Sequence, residues 1–244
     1  MTEPGAATRE QARALDAAAE RHGVPAPMLM ALASFQCATL ARRLLSEISA
    51  PHGEVAVMVG RGNNGEDALG CARHLSTWGF SVHCLLLGAQ DQASQSEQAR
   101  AAADSGAELL LARLGELDQV AGLALERPDL IIDGLLGTGS VGAPRDPMAT
   151  LIHRINRSSA TVLAIDLPSG LDADTGDVAG DCVRSDHTLM LGAAKVGCQT
   201  PAARHWVGRL WLADIGIPAA AYHDCGLALP DHLGPDPVLL TSRP

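Results

Sequence analysis

VAVMVGRGNNGEDALGCARHL, residues 55–75, is the stretch that decides the fold of this chain. Its first five residues are apolar and mostly β-branched, which is typical of a strand buried on both faces. Gly60, Gly62 and Gly65 predict a sharp turn where backbone can approach a ligand closely. Residues 66–75 then place apolar side chains at helical spacing. In doubly wound folds, a strand, a glycine-rich turn and a helix in this order form an anion-binding site. Taken alone, however, this stretch fits a tight turn of any α/β protein equally well.

Strands and helices alternate along the rest of the chain. We predict helices over residues 8–22, 27–48, 90–104 and 114–125, and further strands over 81–87 and 108–112. This alternation is typical of a parallel sheet with crossover helices. The predicted fold class is therefore α/β, a Rossmann-like doubly wound, mostly parallel sheet with helices on both faces in three α/β/α layers.

The chain length and the net charge limit the number of domains and the kinds of partner that this protein can have. The chain has 244 residues, which suits one large α/β domain or two small ones. We assign residues 1–225 to a single domain and 226–244 to a loosely ordered, Pro-rich tail or linker remnant. The net charge of −10 argues against a nucleic acid partner, because a phosphate backbone needs a basic surface. Backbone amides can still bind a phosphorylated metabolite.

The cysteine spacing and hydropathy exclude several other classes. The six cysteines form no CxxC pair, so a zinc or redox motif is not indicated. No apolar run approaches the roughly 18 residues of a membrane span. Charged residues interrupt the N-terminal stretch where a signal peptide would have its apolar core. We expect a soluble, cytoplasmic protein with no membrane partner.

Two further predicted strands end in aspartate. PDLIIDGLLGTG, residues 128–139, places Asp133 at the end of an apolar run, and ATVLAIDLPSGLDADTG, residues 160–176, does the same for Asp166. Ligands of open α/β sheets bind at the carboxyl ends of the strands, so both carboxyl groups are candidate site residues. For Asp133 taken alone, a carboxyl group that caps its own turn is the alternative.

Together these motifs resemble the YjeF N-terminal domain family, the NAD(P)H-hydrate epimerases. Asn63-Asn64-Gly65-Glu66-Asp67 is similar to the family's GNNGGD loop, and residues 133–139 are similar to its DalfGtG motif. DLPSGLDADTG, residues 166–176, matches the family's DiPSGldadtG motif almost letter for letter. SDHTLMLGAAKVG, residues 185–197, and GRLWLADIGIP, residues 208–218, resemble its last two motifs.

The resemblance covers roughly residues 9–218, with local departures. Glu66 stands where the family has Gly, and Ala194 stands where it has Pro. Residues 31–35 replace the acidic residue and Ala-Gly pair that usually follow Leu-Met in the family.

The resemblance implies a site for the hydrated forms of NADH and NADPH. Asp166 would contact the hydrated nicotinamide ring and act in catalysis, with Lys195 as the second catalytic candidate. For Lys195, a surface or structural ion pair is an equally good interpretation. The substrate-binding candidates are Asn63, Asn64, Gly65, Glu66, Asp67, Gly137, Thr138, Gly139, Ser140, Val141, Gly142, Ala143 and Asp166.

Asn64, Asp133 and Ser169 are the candidate metal ligands. Their amide, carboxylate and hydroxyl oxygens, without His or Cys, favour a hard cation over zinc, although simple loop hydrogen bonding is the alternative. The residues alone leave potassium, sodium and magnesium open. The resemblance implies a potassium ion with these three residues among its ligands.

Glu66 decides whether the first loop stays open. With helical backbone angles and an outward side chain, its charge favours the helix N-terminus and leaves the phosphate site free. A side chain turned inward would repel a dinucleotide. We expect the outward arrangement.

The function predicted from the resemblance is interconversion of the R and S forms of NAD(P)HX. The implied functional partner is an ATP- or ADP-dependent NAD(P)H-hydrate dehydratase, and a homodimer is a further option. The alternative is a non-catalytic nucleotide- or protein-binding module of the same fold. An ordinary NAD-dependent dehydrogenase is disfavoured, because the first loop lacks GxGxxG spacing and no acidic residue ends the strand over 81–87. The sequence leaves open the choice between NADHX and NADPHX, and between a stand-alone protein and part of a bifunctional one.

Overall fold

A computed structural model describes residues 6–87, 96–112, 121–122, 124–230 and 233–240. The helices are α1 (Arg9–Arg21), α2 (Ala26–Glu47), α3 (Asn63–Thr77), α4 (Glu97–Asp104), α5 (Met148–Arg157), α6 (Arg204–Val207) and α7 (Ala219–Asp224). The strands are β1 (Glu54–Val59), β2 (Ser81–Leu87), β3 (Glu108–Ala112), β4 (Leu130–Gly134), β5 (Thr161–Ile165), β6 (His187–Leu191), β7 (Arg209–Ala213) and β8 (Val238–Leu239). The predicted helices over 90–104 and 114–125 lie partly outside the described residues.

The described strands form one sheet in the order β3-β2-β1-β4-β5-β6-β7-β8. Strands β1 to β7 pair in parallel, and β8 joins the edge antiparallel to β7. The chain runs outward in one direction from β1 to β3 and in the other from β4 to β7, so β1 and β4 flank the topological switch point. Ligands of doubly wound folds bind at the carboxyl ends of the strands at such a point.

The side chains of β1 show why the sheet is covered on both faces. Val55, Val57 and Val59 are buried in one apolar cluster together with residues of α2, α3 and α4. Ala56 and Met58 point the other way, into a second cluster that includes α5. Successive side chains of a strand face opposite sides, so a strand apolar at every position must lie between two helical layers. The predicted three-layer, Rossmann-like fold is confirmed.

Helix α3 begins at Asn63 rather than at the predicted residue 66. The amides of Gly65 and Glu66 donate to the carbonyl of Gly62 at 2.9 and 3.2 Å, so the asparagine pair forms the first helical turn. A Cβ on Gly65 would overlap the carbonyl oxygen of Gly60. Gly65 therefore permits close packing of the helix on the β1 turn, whereas Gly62 is the glycine with open space around it.

The Pro-rich tail is not wholly loose, because it supplies β8, in which Leu239 pairs with Trp211 of β7. Over the described part of the chain, no single helix is both long and apolar enough to cross a membrane. Helices α1 and α2 reach that threshold only when taken together across a bend of 117°.

The packing of α3 on the β1 turn makes Gly65→Ala a test of the fold. We expect it to lower the free energy of unfolding by about 1–3 kcal/mol, because the added methyl group meets fixed backbone. The helix propensity gained by replacing glycine, about 0.5–1 kcal/mol, is too small to cancel this cost. Urea unfolding measures the difference.

The matched control is Gly62→Ala, whose Cβ would meet no heavy atom within 4 Å. Gly62 has a φ of −101°, which any residue adopts, so the change should cost less than about 1 kcal/mol. Equal losses in the two variants would contradict the packing argument.

Candidate active site

A cavity of about 1140 Å³ spans the carboxyl ends of β1, β4, β5, β6 and β7. Helices α1 and α2 close one side of it. The predicted site residues that line the cavity are Asn63, Asn64, Asp67, Gly137, Thr138, Gly139, Ser140, Asp166 and Lys195. The structure thus brings the first glycine-rich loop, the loop after β4 and the end of β5 to one place.

Other predicted substrate-binding residues lie outside this lining. Among the residues the structure describes, these are Gly65, Glu66, Val141, Gly142 and Ala143. Val141 is 76% exposed. Glu66 lies in the first turn of α3 and is not among the residues that line the cavity.

Hydrogen bonds join Asn64, Asp133 and Ser169 into one network beneath the cavity. The backbone amide and the hydroxyl of Ser169 donate to Asp133 at 2.8 and 2.6 Å. The amide of Leu136 donates to Ser169 Oγ at 2.9 Å, and Nδ2 of Asn64 donates to the carbonyl of Leu136 at 2.9 Å. The network therefore ties the loop after β1 to the loops after β4 and β5.

Asp133 is the buried centre of this network, with no exposed surface. Burial raises its pKa to about 6, although the hydrogen bonds from Ser169 and from the Leu135 amide oppose the shift. A carboxylate here is thus well supplied with donors but still short of compensating positive charge.

The donor chemistry of the network fits a hard cation. Asn64, Asp133 and Ser169 supply amide, carboxylate and hydroxyl oxygens, and the backbone carbonyl of Leu136 lies among them. Hard cations prefer oxygen ligands of these types. A cation in this position would also supply the positive charge that the buried carboxylate of Asp133 lacks.

Asp166 and Lys195 form a pair at the cavity wall. Asp166 ends β5 with a φ of 66°, a left-handed conformation that is uncommon for any residue but glycine and that accumulates at functional sites. Its Oδ1 lies 2.5 Å from Nζ of Lys195 and also accepts the amide of Leu191 at 3.2 Å. Lys195 is 4% exposed, and its ammonium group also donates to the carbonyls of Leu191 and Ala193 at 2.8 and 3.0 Å. These contacts fix Asp166 and leave its Oδ2 available to a ligand.

Two further carboxyl groups, Asp16 and Asp67, line the same cavity. Burial raises the pKa of Asp67 well above its ordinary value, and the neighbouring carboxyl groups of Asp166, Asp16 and Glu66 raise it further, while Lys195 opposes them. Burial also raises the pKa of Asp16. In both groups the shift is toward easier protonation than in a free aspartate.

Sequence reasoning did not assign α1 and α2 to the site. Arg13 and Asp16 line the cavity from α1, and the Arg13 guanidinium lies close to Gly139 of the loop after β4. The apolar part of the wall includes Leu29, Met30, Ala33, Leu191, Ile215 and Ile217. An apolar helix face is the ordinary mark of core packing, so the sequence of α1 and α2 gave no sign that part of each helix faces a ligand.

Two arginines and one histidine differ in their relation to the cavity. Arg61 lines the cavity, whereas Arg145 does not belong to the described lining. His187 is buried beside Trp211, whose Nε1 donates to its Nδ1 at 3.1 Å. That contact gives His187 a structural role.

The Asp166–Lys195 pair can be tested by its effect on stability. Lys195→Met leaves a carboxylate in a largely buried place, so we expect it to lower the free energy of unfolding by about 2–4 kcal/mol. Adding Asp166→Asn removes that charge and should regain at least about 1 kcal/mol. Urea unfolding of the four proteins of this cycle gives the coupling, and additive losses would contradict the pairing. Arg100→Met, which removes an exposed contact with Glu97, serves as control and should cost less than about 1 kcal/mol.

Comparison with known proteins identifies the family. Residues 26–197 match the family described as YjeF-related protein N-terminus. The chain is 33% identical over 212 residues to the NAD(P)H-hydrate epimerase of Rhodopirellula baltica, covering 86% of this chain and 84% of that protein. It is 39% identical over 184 residues to the NAD(P)H-hydrate epimerase of Cenarchaeum symbiosum, covering 74% of this chain and 83% of that protein.

A longer relative and a solved structure agree with this assignment. The chain is 35% identical over 208 residues to the bifunctional NAD(P)H-hydrate repair enzyme Nnr of Salinibacter ruber, covering 82% of this chain but only 38% of that protein. The crystal structure of the yeast protein ynu0 superposes with a TM-score of 0.80 at 18% identity, covering 98% of this chain and all of that one, which shows a shared fold. The prediction made from the sequence motifs is confirmed, and this chain belongs to the YjeF N-terminal family.

Proposed function

We infer that this chain is an NAD(P)H-hydrate epimerase, an isomerase that interconverts the R and S forms of hydrated NADH or NADPH. The observation that carries this inference is the similarity to stand-alone proteins named NAD(P)H-hydrate epimerase along most of their length. The site supports it, because Asp166 and Lys195 stand at the wall of a large cavity at the switch point of the sheet. A non-catalytic binding module has no need of a buried lysine that holds a carboxylate in a left-handed conformation.

The size and lining of the cavity suit a dinucleotide. Its volume of about 1140 Å³ is slightly above the range of roughly 300–1,000 Å³ that is usual for small-molecule sites. The first turn of α3, at Asn63 and Asn64, and the loop over 137–140 offer backbone amides to phosphate groups. The apolar wall from α2 and from residues 215 and 217 suits the faces of a ring.

The chemistry requires proton transfer next to the ring. C6 of the substrate carries both a hydroxyl group and the ring nitrogen, so inversion can proceed by loss of water or by ring opening. Both routes need a group that exchanges a proton with the C6 oxygen or the ring nitrogen. Asp166 offers Oδ2 for this purpose, because its Oδ1 is occupied by Lys195 and the Leu191 amide.

We also propose that Asn64, Asp133 and Ser169 hold a potassium ion. The support is the hydrogen-bond network that brings the three side chains and the Leu136 carbonyl together around the buried carboxyl group of Asp133. When bound, the ion would supply a fixed positive charge close to the loops that receive the phosphates. Asp133 and Ser169 would then act by holding these loops in place.

The partners follow from the same inference. The relative from Salinibacter ruber is named a bifunctional NAD(P)H-hydrate repair enzyme. That name supports a dehydratase as the functional partner of this chain. A homodimer and a cytoplasmic location stay predictions. Helix α2 presents Met28, Leu32 and Phe35 as exposed apolar side chains, which is where a second copy could be sought.

Asp166→Asn tests the assignment of the reaction to this site. We expect the wild type to equilibrate a single NAD(P)HX epimer faster than the spontaneous reaction, and the variant to lose about 10²- to 10⁴-fold of that rate, because asparagine cannot transfer the proton. Chromatographic separation of the epimers over time measures both. Asp104→Asn, at the exposed end of α4, is the control and should match the wild type.

A silent wild-type protein would favour the binding-module alternative. A fully active Asp166→Asn variant would instead place the proton transfer on another residue of the cavity.

The potassium proposal has a readout that does not depend on activity. A ligand that binds only the folded state raises its stability by mass action, by about 2.7 kcal/mol at 100 times its Kd. The thermal midpoint should therefore rise more in potassium chloride than in choline chloride of the same ionic strength. Ser169→Ala should abolish the difference, and equal midpoints of the wild type in the two salts would refute the site.

A further inference from the structure

Helix α1 carries three arginines, and only two of them are held by carboxylates. Arg9 pairs with Asp172 at 2.9 Å, and Arg21 contacts Asp224 at 3.5 Å. Arg13 lies about one turn after Arg9 and, over the ranges that the structure describes, forms no hydrogen bond or ion pair. Acidic residues outnumber Lys and Arg in this chain by 28 to 18, so the lack of a partner for Arg13 does not come from a shortage of carboxylates.

The side chain of Arg13 is directed at the loop after β4. Arg13 lines the cavity, and its Nη2 lies 3.8 Å from the position that a Cβ on Gly139 would occupy. Because Gly139 has no Cβ, no side chain of that residue stands between the guanidinium group and the loop backbone. Arg13 and this loop therefore border the same part of the cavity.

The loop after β4 supplies backbone donors of its own. Within the described part of the chain, the amides of Gly137, Thr138 and Gly139 donate to no acceptor, whereas the amide of Ser140 donates to the carbonyl of Gly137 at 3.1 Å. All four residues line the cavity. Successive free amides in a turn form an anion-binding concavity, and an arginine beside them adds a planar pair of donors that matches two phosphate oxygens.

The position of this loop in the sheet selects among the phosphates of the substrate. Strands β4 and β5 are neighbours, with Asp133 paired to Ala164, so the loop after β4 begins beside the strand end that carries Asp166. In hydrated NADH and NADPH a single ribose separates the nicotinamide ring from the diphosphate, whereas the 2′-phosphate of NADPH lies beyond it on the adenosine. With the ring at Asp166, as the proposed epimerase function requires, the diphosphate is the phosphate group nearest to this loop.

We propose that Arg13 is a substrate-binding residue that holds the diphosphate of NAD(P)HX against the free amides of the loop over 137–140. Its guanidinium group is always charged and is exposed before the substrate arrives. The contact lies away from the reacting carbon, so it stabilises the bound substrate and the transition state equally and acts on KM rather than on kcat. It also favours hydrated dinucleotides over a hydrated nicotinamide riboside, which has no phosphate.

ADP-ribose contains the diphosphate but no nicotinamide ring, so its binding tests this contact without turnover. Isothermal titration calorimetry should show that Arg13→Gln weakens ADP-ribose binding by about 10- to 100-fold, the range that a hydrogen bond between charged groups contributes. Arg13→Lys keeps the charge but loses the planar pair of donors, so its Kd should fall between those of the other two proteins. Arg21→Gln, on the same helix but outside the described lining of the cavity, is the matched control and should bind as the wild type does.

The 2′-phosphorylated form of ADP-ribose separates the diphosphate from the 2′-phosphate. Arg13→Gln should weaken both compounds by the same factor, and a loss confined to the 2′-phosphorylated compound would overturn the assignment to the diphosphate. A wild type that binds no ADP-ribose, or an Arg13→Gln variant whose Kd stays within about threefold of the wild-type value, would overturn it as well. Because Arg13 is exposed and has no partner in the described ranges, the variant should keep the thermal midpoint of the wild type.

Epimerisation kinetics distinguish this proposal from the epimerase function itself. Arg13→Gln should raise the KM for NADHX and for NADPHX by similar factors and leave kcat within about threefold of the wild-type value. A wild type that binds ADP-ribose through Arg13 but does not epimerise would refute the function and leave the diphosphate contact in place. An active wild type whose KM is unchanged by Arg13→Gln would refute the contact alone.

Discussion

The hydrogen bonds between Asp133 and Ser169 are the contacts on which the rest of the site depends. Asp133 comes from β4 and Ser169 from the loop after β5, and both are fully buried. Through Leu136 the same network reaches Asn64 at the start of α3. A buried carboxyl group that lost these donors would be strongly destabilising, so the three loops are fixed together at the switch point.

That fixed arrangement explains how the remaining groups obtain their positions. Asp166 lies just before the loop of Ser169 and takes up its left-handed conformation between two rigid neighbours, β5 and the Lys195 ammonium group. Lys195 is in turn held by the carbonyls of Leu191 and Ala193 after β6. The strand ends and the loops after them thus supply Asp166, Lys195 and the loop over 137–140, whereas α2 and the loop after β7 supply apolar side chains. Such a division suits a ligand that has phosphates at one end and a ring at the other.

Much of this arrangement could be predicted from the sequence, because strands buried on both faces and their terminal motifs are local features. The β1 turn, Asp133, Asp166 and Ser169 all lie where strand periodicity and motif order placed them. The predicted start of α3 was wrong. The residue that precedes the helix is Gly62, which has no side chain to cap it, so the sequence there does not mark a helix start. Arg13 and Asp16 were not assigned to the site, because only the tertiary packing of α1 over the sheet edge turns them toward the cavity.

The central claim is that this chain epimerises hydrated nicotinamide nucleotides, and a coupled turnover measurement tests it most directly. A purified NAD(P)H-hydrate dehydratase that consumes one epimer is given an equilibrium mixture of both, and NAD(P)H formation is followed with and without this protein. The account predicts that the slow second phase, in which the unused epimer reacts, accelerates in proportion to the amount of this protein added. A second phase that keeps its spontaneous rate at every protein concentration would contradict the account.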